Sequence, residues 1–341
     1  MSESRKSACK YCKYLLRFER GQKPGLRQER KVMQENKEAY EQFIEEVTEM
    51  LTAIAGDEYT VIPRKERKNN SVVLDGVMVQ KGDDKVVPNV YLNHYYGRYC
   101  NGESIEQIAE DILALCEDKE VEIFNLIQKL DFSPEYIREH LYYRLIGKEK
   151  NEELLQEVPH RSYLNLAVVY YWIVYEEGEQ LGSIMMTLRQ MKRFGWTEEE
   201  LQQMAKENTP RLFPALTKGM GEVIGEMLAR QSDFPMLVLS NEKGINGAAC
   251  LLYPGILQEL SEQMQGSFYV LPSSVHELIV LPDTGTSAER LCEMVYCINR
   301  TQLPLEDVLS DAVYYYSNTT KELSLAAESG AAERTEKEQG A

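Results

Sequence analysis

At 341 residues with 43% apolar side chains, the chain has material for one large domain or two smaller ones with real cores, which excludes a disordered polymer. The formal net charge of −17 falls on the body, because the first 32 residues are rich in Lys and Arg; an acidic body repels phosphate backbones and argues against nucleic acid as the main partner. No run approaches about 18 consecutive apolar residues, the start SESRKSACKYCK has no apolar secretory core, and seven cysteines fit reduced thiols, so a cytoplasmic protein with no membrane span is expected.

Residues 1–32 read as a basic, disordered arm, broken by Gln-Lys-Pro-Gly at 22–25. Within it Cys9 and Cys12 form a single C-x-x-C. They are the weak metal candidates: a structural zinc needs four ligands, and no second pair follows. Met33, where regular patterning begins, is itself a candidate initiator.

An N-terminal α+β subdomain is expected over 33–150. It opens with a helix whose stripe is Tyr40, Phe43, Ile44, Val47, Met50, Leu51 and Ile54. Short strands follow at 59–64, 71–79 and 88–93, separated by turn residues at 68–70 and 82–84. A helix opens on Ser104 with Gln107 as a capping-box partner. Another opens on Ser133-Pro134 and runs to Gly147.

A second α+β subdomain is expected over 151–320. The run 163–175, β-branched and aromatic on both faces, predicts a covered central strand, with a turn leading into SIMMTL. Thr197 with Glu200 marks a helix start, and Trp196 with Leu201 a hydrophobic staple. Beyond it come a helix near 211–229, strands at 236–240 and 247–253, and a helix near 255–264. Strands at 267–272 and 275–281, a helix at 287–299 and a helix-plus-strand at 305–316 complete it. Asn246-Gly247 reads as a hairpin turn. Residues 321–341 read as a disordered tail. Paired strands alternating with single helices predict an α+β fold of mostly antiparallel sheet.

The stretch FYVLPSSVHELIVLP (268–282) is the densest in chemically capable groups. Ser273, Ser274 and His276 are the weak catalytic candidates. On a strand Glu277 faces away from His276, and Ser274 lies roughly 6–7 Å from it, too far for a nucleophile–base bond without a bulge. No G-x-S-x-G nucleophile elbow occurs. The competing reading is a Pro-Ser-Ser turn. His94, His140, His160 and His276 show no metal-binding spacing, and the glycines at 239–255 match no phosphate loop, so no cofactor is expected. Tyr91, Tyr95, Tyr96 and Tyr99 crowd into nine residues; they form either an interaction surface or a packed helix start.

Taken in order, KNNSVVLDGVMV, PNVYLNHYYGRY, EVPHRSYLNLAVVYYW, ENTPRLFPA, LSNEKGINGAACLLYPG, LPSSVHELIVLP, INRTQ and EDVLSDAVYYY resemble an uncharacterised bacterial family, a domain of unknown function, over roughly residues 34–320. The resemblance implies a cytoplasmic bacterial protein, often from accessory or mobile regions of the genome. It supplies no activity and no catalytic residues.

Three functions compete. The first is a non-catalytic, acidic module that binds a protein partner through the tyrosines. The second is a hydrolase or transferase built around Ser273, Ser274 and His276, with His160 or Asn208 brought in by the fold. The third, ranked last, is nucleic-acid binding through the basic arm.

Overall fold

The computed structural model describes residues 37–82, 87, 89–127, 130–178, 180–219, 222 and 236–328. The basic arm with Cys9 and Cys12 lies outside the described residues. By its contacts the chain divides between Asp131 and Phe132 into two compact units.

In the N-terminal unit, helix α1 (Lys37–Ala55) buries Phe43, Val47 and Leu51, three positions one turn apart. Strands β1 (Tyr59–Arg67), β2 (Val73–Lys81) and β3 (Asn89–Tyr91) form an antiparallel meander. Its first turn places Asn70 and Ser71 at φ of 59° and 57°. Helix α2 (Asn93–Cys100) precedes α3 (Ile105–Ile127). At the start of α3 the Gln107 N–H donates to Ser104 Oγ at 3.2 Å, while the Gln107 amide bonds Asp111 instead of closing a reciprocal box. Phe43, Val47 and Leu51 share one core with Val77, Val79 and Val90 of the sheet and Ile108 and Ile112 of α3.

The C-terminal unit begins with α4 (Pro134–His140), where Ser133 Oγ caps the Tyr136 N–H. The single helix expected to reach Gly147 ends here. Residues Leu141–Gly147 form strand β4, paired along its whole length with β6 (Leu166–Glu177). The segment buries side chains on both faces, so sheet pairing overrides the helical pattern. The division by contacts places residues 132–150 with the C-terminal unit. Strands β5 (His160–Tyr163) and β7 (Gln180–Met185) lie on the other side of β6.

Helix α5 (Leu188–Phe194) and α6 (Glu198–Leu212) each open on a closed capping box, Thr187/Gln190 and Thr197/Glu200. A six-stranded antiparallel sheet then combines β8 (Ala215–Gly219), β9 (Leu237–Asn241), β10 (Phe268–Ser274), β11 (Glu277–Pro282), β12 (Ala312–Ser317) and β13 (Glu322–Glu328), in the order β13-β12-β10-β11-β9-β8. One face meets the inner face of the β4–β6 sheet around Leu145, Val168, Trp172, Phe268, Val270 and Tyr314, with helix α7 (Ile256–Met264) contributing Ile256 and Leu260. The opposite face, with Leu271, Ile279 and Val313, carries helix α8 (Ala288–Thr301) through Leu291, Val295 and Ile298. The fold is α+β with antiparallel sheets, as the sequence predicts.

Three further expectations fail locally. Residues 215–219 are strand β8 rather than helix, because Pro210 and Pro214 bracket the end of α6 and β9 supplies a partner; residues 223–229 lie outside the description. Gly247–Leu252 is a 3-10 turn rather than a strand, since Asn246 adopts φ 54° and the small run Gly-Ala-Ala-Cys sinks into the core. The tail starts later than 321: Lys321 turns at φ 60° and Glu322–Glu328 completes the sheet against β12.

Candidate functional site

The PSSVHE stretch joins β10 to β11. The register slips between Pro272 and Ser274, and Ser274 pairs with Glu277, so Val275 and His276 are the two turn residues. His276 is therefore not on the strand, and face alternation starts only at Glu277.

The side chains of this turn are tied to local partners. The His276 N–H donates to Ser274 Oγ at 3.0 Å, and the Val275 N–H to the Asp307 carbonyl at 2.8 Å. Ser240 Oγ donates to the His276 carbonyl at 2.8 Å. On the ring, Nδ1 accepts the Asn246 N–H at 3.1 Å, and Nε2 faces Asp307 Oδ1 at 3.3 Å. A ring whose Nδ1 accepts must carry its proton on Nε2, directed at Asp307.

Ser273 is 1% exposed, and its hydroxyl donates to Glu277 Oε1 at 3.1 Å. Burial pushes the Glu277 carboxyl up to about 7, against the Ser273 hydrogen bond and the nearby imidazole, which pull it down. The backbone of Gly247 closes the floor. A Cβ there would lie 2.3 Å from Ser240 Oγ and 2.5 Å from the His276 carbonyl oxygen.

These bonds limit the chemistry. A serine nucleophile needs a basic ring nitrogen, and the nitrogen not facing Asp307 already accepts a backbone amide. Ser274 meets the backbone of His276 and not its ring. Ser273 meets a carboxylate, but in a setting closed to substrate.

The other expected partners stay elsewhere. His160 Nδ1 sits 3.2 Å from the Val158 carbonyl. Asn208 donates to the carbonyls of Arg138 and Leu141 at 2.8 and 3.0 Å, and the neighbouring Thr209 Oγ1 accepts the Tyr143 N–H at 3.1 Å. This Asn-Thr pair on α6 satisfies the outer edge of β4, so its role is to finish a sheet. Sequence reasoning missed Asp307 and Asn246. Each lies about 30 residues from His276; the sequence marked Asn246 only as half of an Asn-Gly turn, and Asp307 sits in a short 3-10 turn.

The tyrosines divide into two sets. Tyr96 and Tyr99 pack on α1: the Phe43 ring lies 5.3 Å from Tyr96 and 5.1 Å from Tyr99, and Tyr40 meets Tyr96 edge-on, while Tyr95 touches the same core from the side of the hollow. Tyr91 and Tyr95, with Asn89, Val90, His94, Arg98 and Leu115, wall a hollow of about 430 Å³. Its polar wall is mostly paired within the unit, with the buried Asn89 Oδ1 left without a partner among the described residues. The Tyr91 hydroxyl donates to Glu66 at 2.5 Å and accepts from Lys68 at 2.6 Å. Burial raises the Glu66 carboxyl, but hydrogen bonds from Lys68 and Tyr91 outweigh it and hold the group below its ordinary value. Arg98 is paired with Glu103 and Asp111 and lies 5.2 Å from the Tyr95 ring centre. The hollow thus presents aromatic and aliphatic surface with little unbalanced charge.

Among the described residues no group of three His, Cys, Asp or Glu could hold a metal, and no helix is long and apolar enough to cross a membrane. Cys100, Cys116, Cys250, Cys292 and Cys297 form no disulfide with one another. Neither the curated proteins nor the solved structures contain a match to the chain. A model of a family of unknown function (DUF5688) matches residues 40–318, spanning both units, and the chain belongs to that family.

Proposed function

We propose that the chain is a non-catalytic protein-binding module of the bacterial cytoplasm, with the Tyr91–Tyr95 hollow as its contact surface. The occupant is an apolar or aromatic side chain of a partner protein, set in a basic surround that complements the net charge of −17. One observation carries the reading. The constellation most suggestive of catalysis uses its hydroxyls, ring nitrogens and carboxylates to hold a turn, whereas the tyrosine-walled hollow is open, apolar and already neutral.

The hydrolase reading has one point in its favour, the approach of Asp307 to a half-exposed His276. The Asn246 amide on the opposite nitrogen weighs against it.

The test replaces His94, an exposed residue of the hollow wall, with a photo-crosslinking amino acid in cells. The expected result is one discrete protein adduct, lost with Tyr95→Ala and weakened in about 0.5 M salt. No adduct, or an equal yield from the exposed position 193, contradicts the binding half. Covalent labelling of Ser273 or Ser274 by a fluorophosphonate, lost in His276→Ala, contradicts the non-catalytic half.

A further inference from the structure

Arg98, Arg144 and Arg300 are the half-buried arginines of the described chain. Arg98 pairs with Glu103 and Asp111, and Arg300 with Asp311. Arg144 is different. Its guanidinium carbon lies over the Tyr171 ring, 3.7 Å from the ring centre, and among the described residues its hydrogen bonds run to neutral hydroxyls, those of Tyr142 and Ser183. No described carboxylate lies within ion-pair distance of it. Partly desolvating a cation without a counter-charge is costly, and a ring face and two hydroxyls offset only part of that cost. Acidic side chains outnumber basic ones 55 to 38, so a missing carboxylate is not for want of acids.

Among the described residues, donors of this group also remain unused. Nε and one terminal nitrogen of Arg144 are engaged by Tyr142, which is 1% exposed and fixes the fork, and by Ser183. The other terminal nitrogen keeps both of its hydrogens. The Ser183 hydroxyl, accepting from the guanidinium, must turn its own proton away. Both Arg144 and Ser183 retain solvent exposure. They stand on the face of the β4–β6–β7 sheet opposite the main core, between the clusters around Val169 and around Phe213. A stacked, oriented guanidinium beside a hydroxyl donor is the arrangement that receives an oxyanion.

We infer that Arg144 and Ser183, held by Tyr142 and Tyr171, form a receptor for an oxyanion from outside the chain, either a phosphate or a carboxylate. This site lies in the C-terminal unit and is independent of the tyrosine hollow.

The experiment is thermal unfolding of the full chain in inorganic phosphate or in acetate, each against chloride at matched ionic strength. At roughly ten times its Kd the recognised anion raises Tm by about 2–4 °C. The larger response identifies phosphate or carboxylate as the ligand. Arg144→Met abolishes the response and melts no lower than wild type without added anion, since it removes an uncompensated cation. The exposed Arg189→Met keeps the response. If Arg144→Met does not fold, Ser183→Ala decides, with an expected loss of about tenfold in affinity. Equal Tm in all three salts, or a response that survives both Arg144→Met and Ser183→Ala, overturns the inference.

Discussion

The turn at His276 and the helix start at Tyr91–Tyr99 both concentrate chemically capable side chains in a few residues, and the fold treats them in opposite ways. At the turn, the polar side chains are tied to partners within the C-terminal unit: Ser273 to Glu277, Ser274 to the His276 amide, and the two ring nitrogens to Asn246 and Asp307. At the helix start, two of four tyrosines pack on Phe43 while the other two wall an open hollow. Chemical density in a sequence therefore says little about availability. The number of partners already taken within the fold decides that.

The largest expected effect comes from the floor of the turn. Gly247→Ala forces a methyl group against Ser240, the His276 carbonyl and the Asn241 amide, costing about 3 kcal/mol or more. Melting should drop by roughly 6 °C or more. A near-wild-type Tm would mean that the turn is not tightly closed over Gly247.

Next come the tyrosines packed on α1. Tyr96→Ala removes a ring packed on Tyr40 and Phe43 and should cost about 2–3 kcal/mol, against about 1 kcal/mol for Tyr95→Ala. Equal losses in urea titrations would erase the division between packed and presented rings.

Glu277 gives a smaller, pH-dependent effect. Its folded pKa of about 7 exceeds the ordinary carboxyl value of 4.5, so the folded state holds the proton more tightly. Stability is fullest below about pH 4.5 and is lost as pH rises through about 7. Glu277→Gln should flatten this fall and raise stability at about pH 8 by roughly 1–2 kcal/mol. A wild-type Tm constant between about pH 5 and pH 8 would refute the buried setting. The smallest change is Tyr91→Phe, which removes one hydroxyl while leaving Lys68 on Glu66; the expected cost is about 0.5–1 kcal/mol, with His94 crosslinking retained.

Much of the fold was legible because the signals were local. The α1 stripe, the Thr197/Glu200 box and the Ser133-Pro134 cap depend on residues within a turn or two of each other, and they appear where read, except that Ile54 at the end of the stripe is exposed. The failures were tertiary. Leu141–Gly147 continues a plausible helix until β6 claims it, and Gly247–Leu252 reads as a strand until the close approach of Ser240 and His276 compresses it. Of the site, the strand spacing assumed for Ser274 and His276 does not apply, because His276 lies in the turn. As partners of the ring, Asp307 and Asn246 were not legible, because only folding brings them to the imidazole. Arg144 also escaped notice: an arginine in a strand looks ordinary until its missing carboxylate is seen.

The most direct measurement is thermal unfolding of wild type beside Ser274→Ala and His276→Ala. If the turn is structural, both melt several degrees lower, with His276→Ala lower still, since it strands the Asn246 amide as well as releasing Asp307. Variants that melt at or above the wild-type temperature would contradict the account and mark the turn as a site kept for chemistry at a cost in stability.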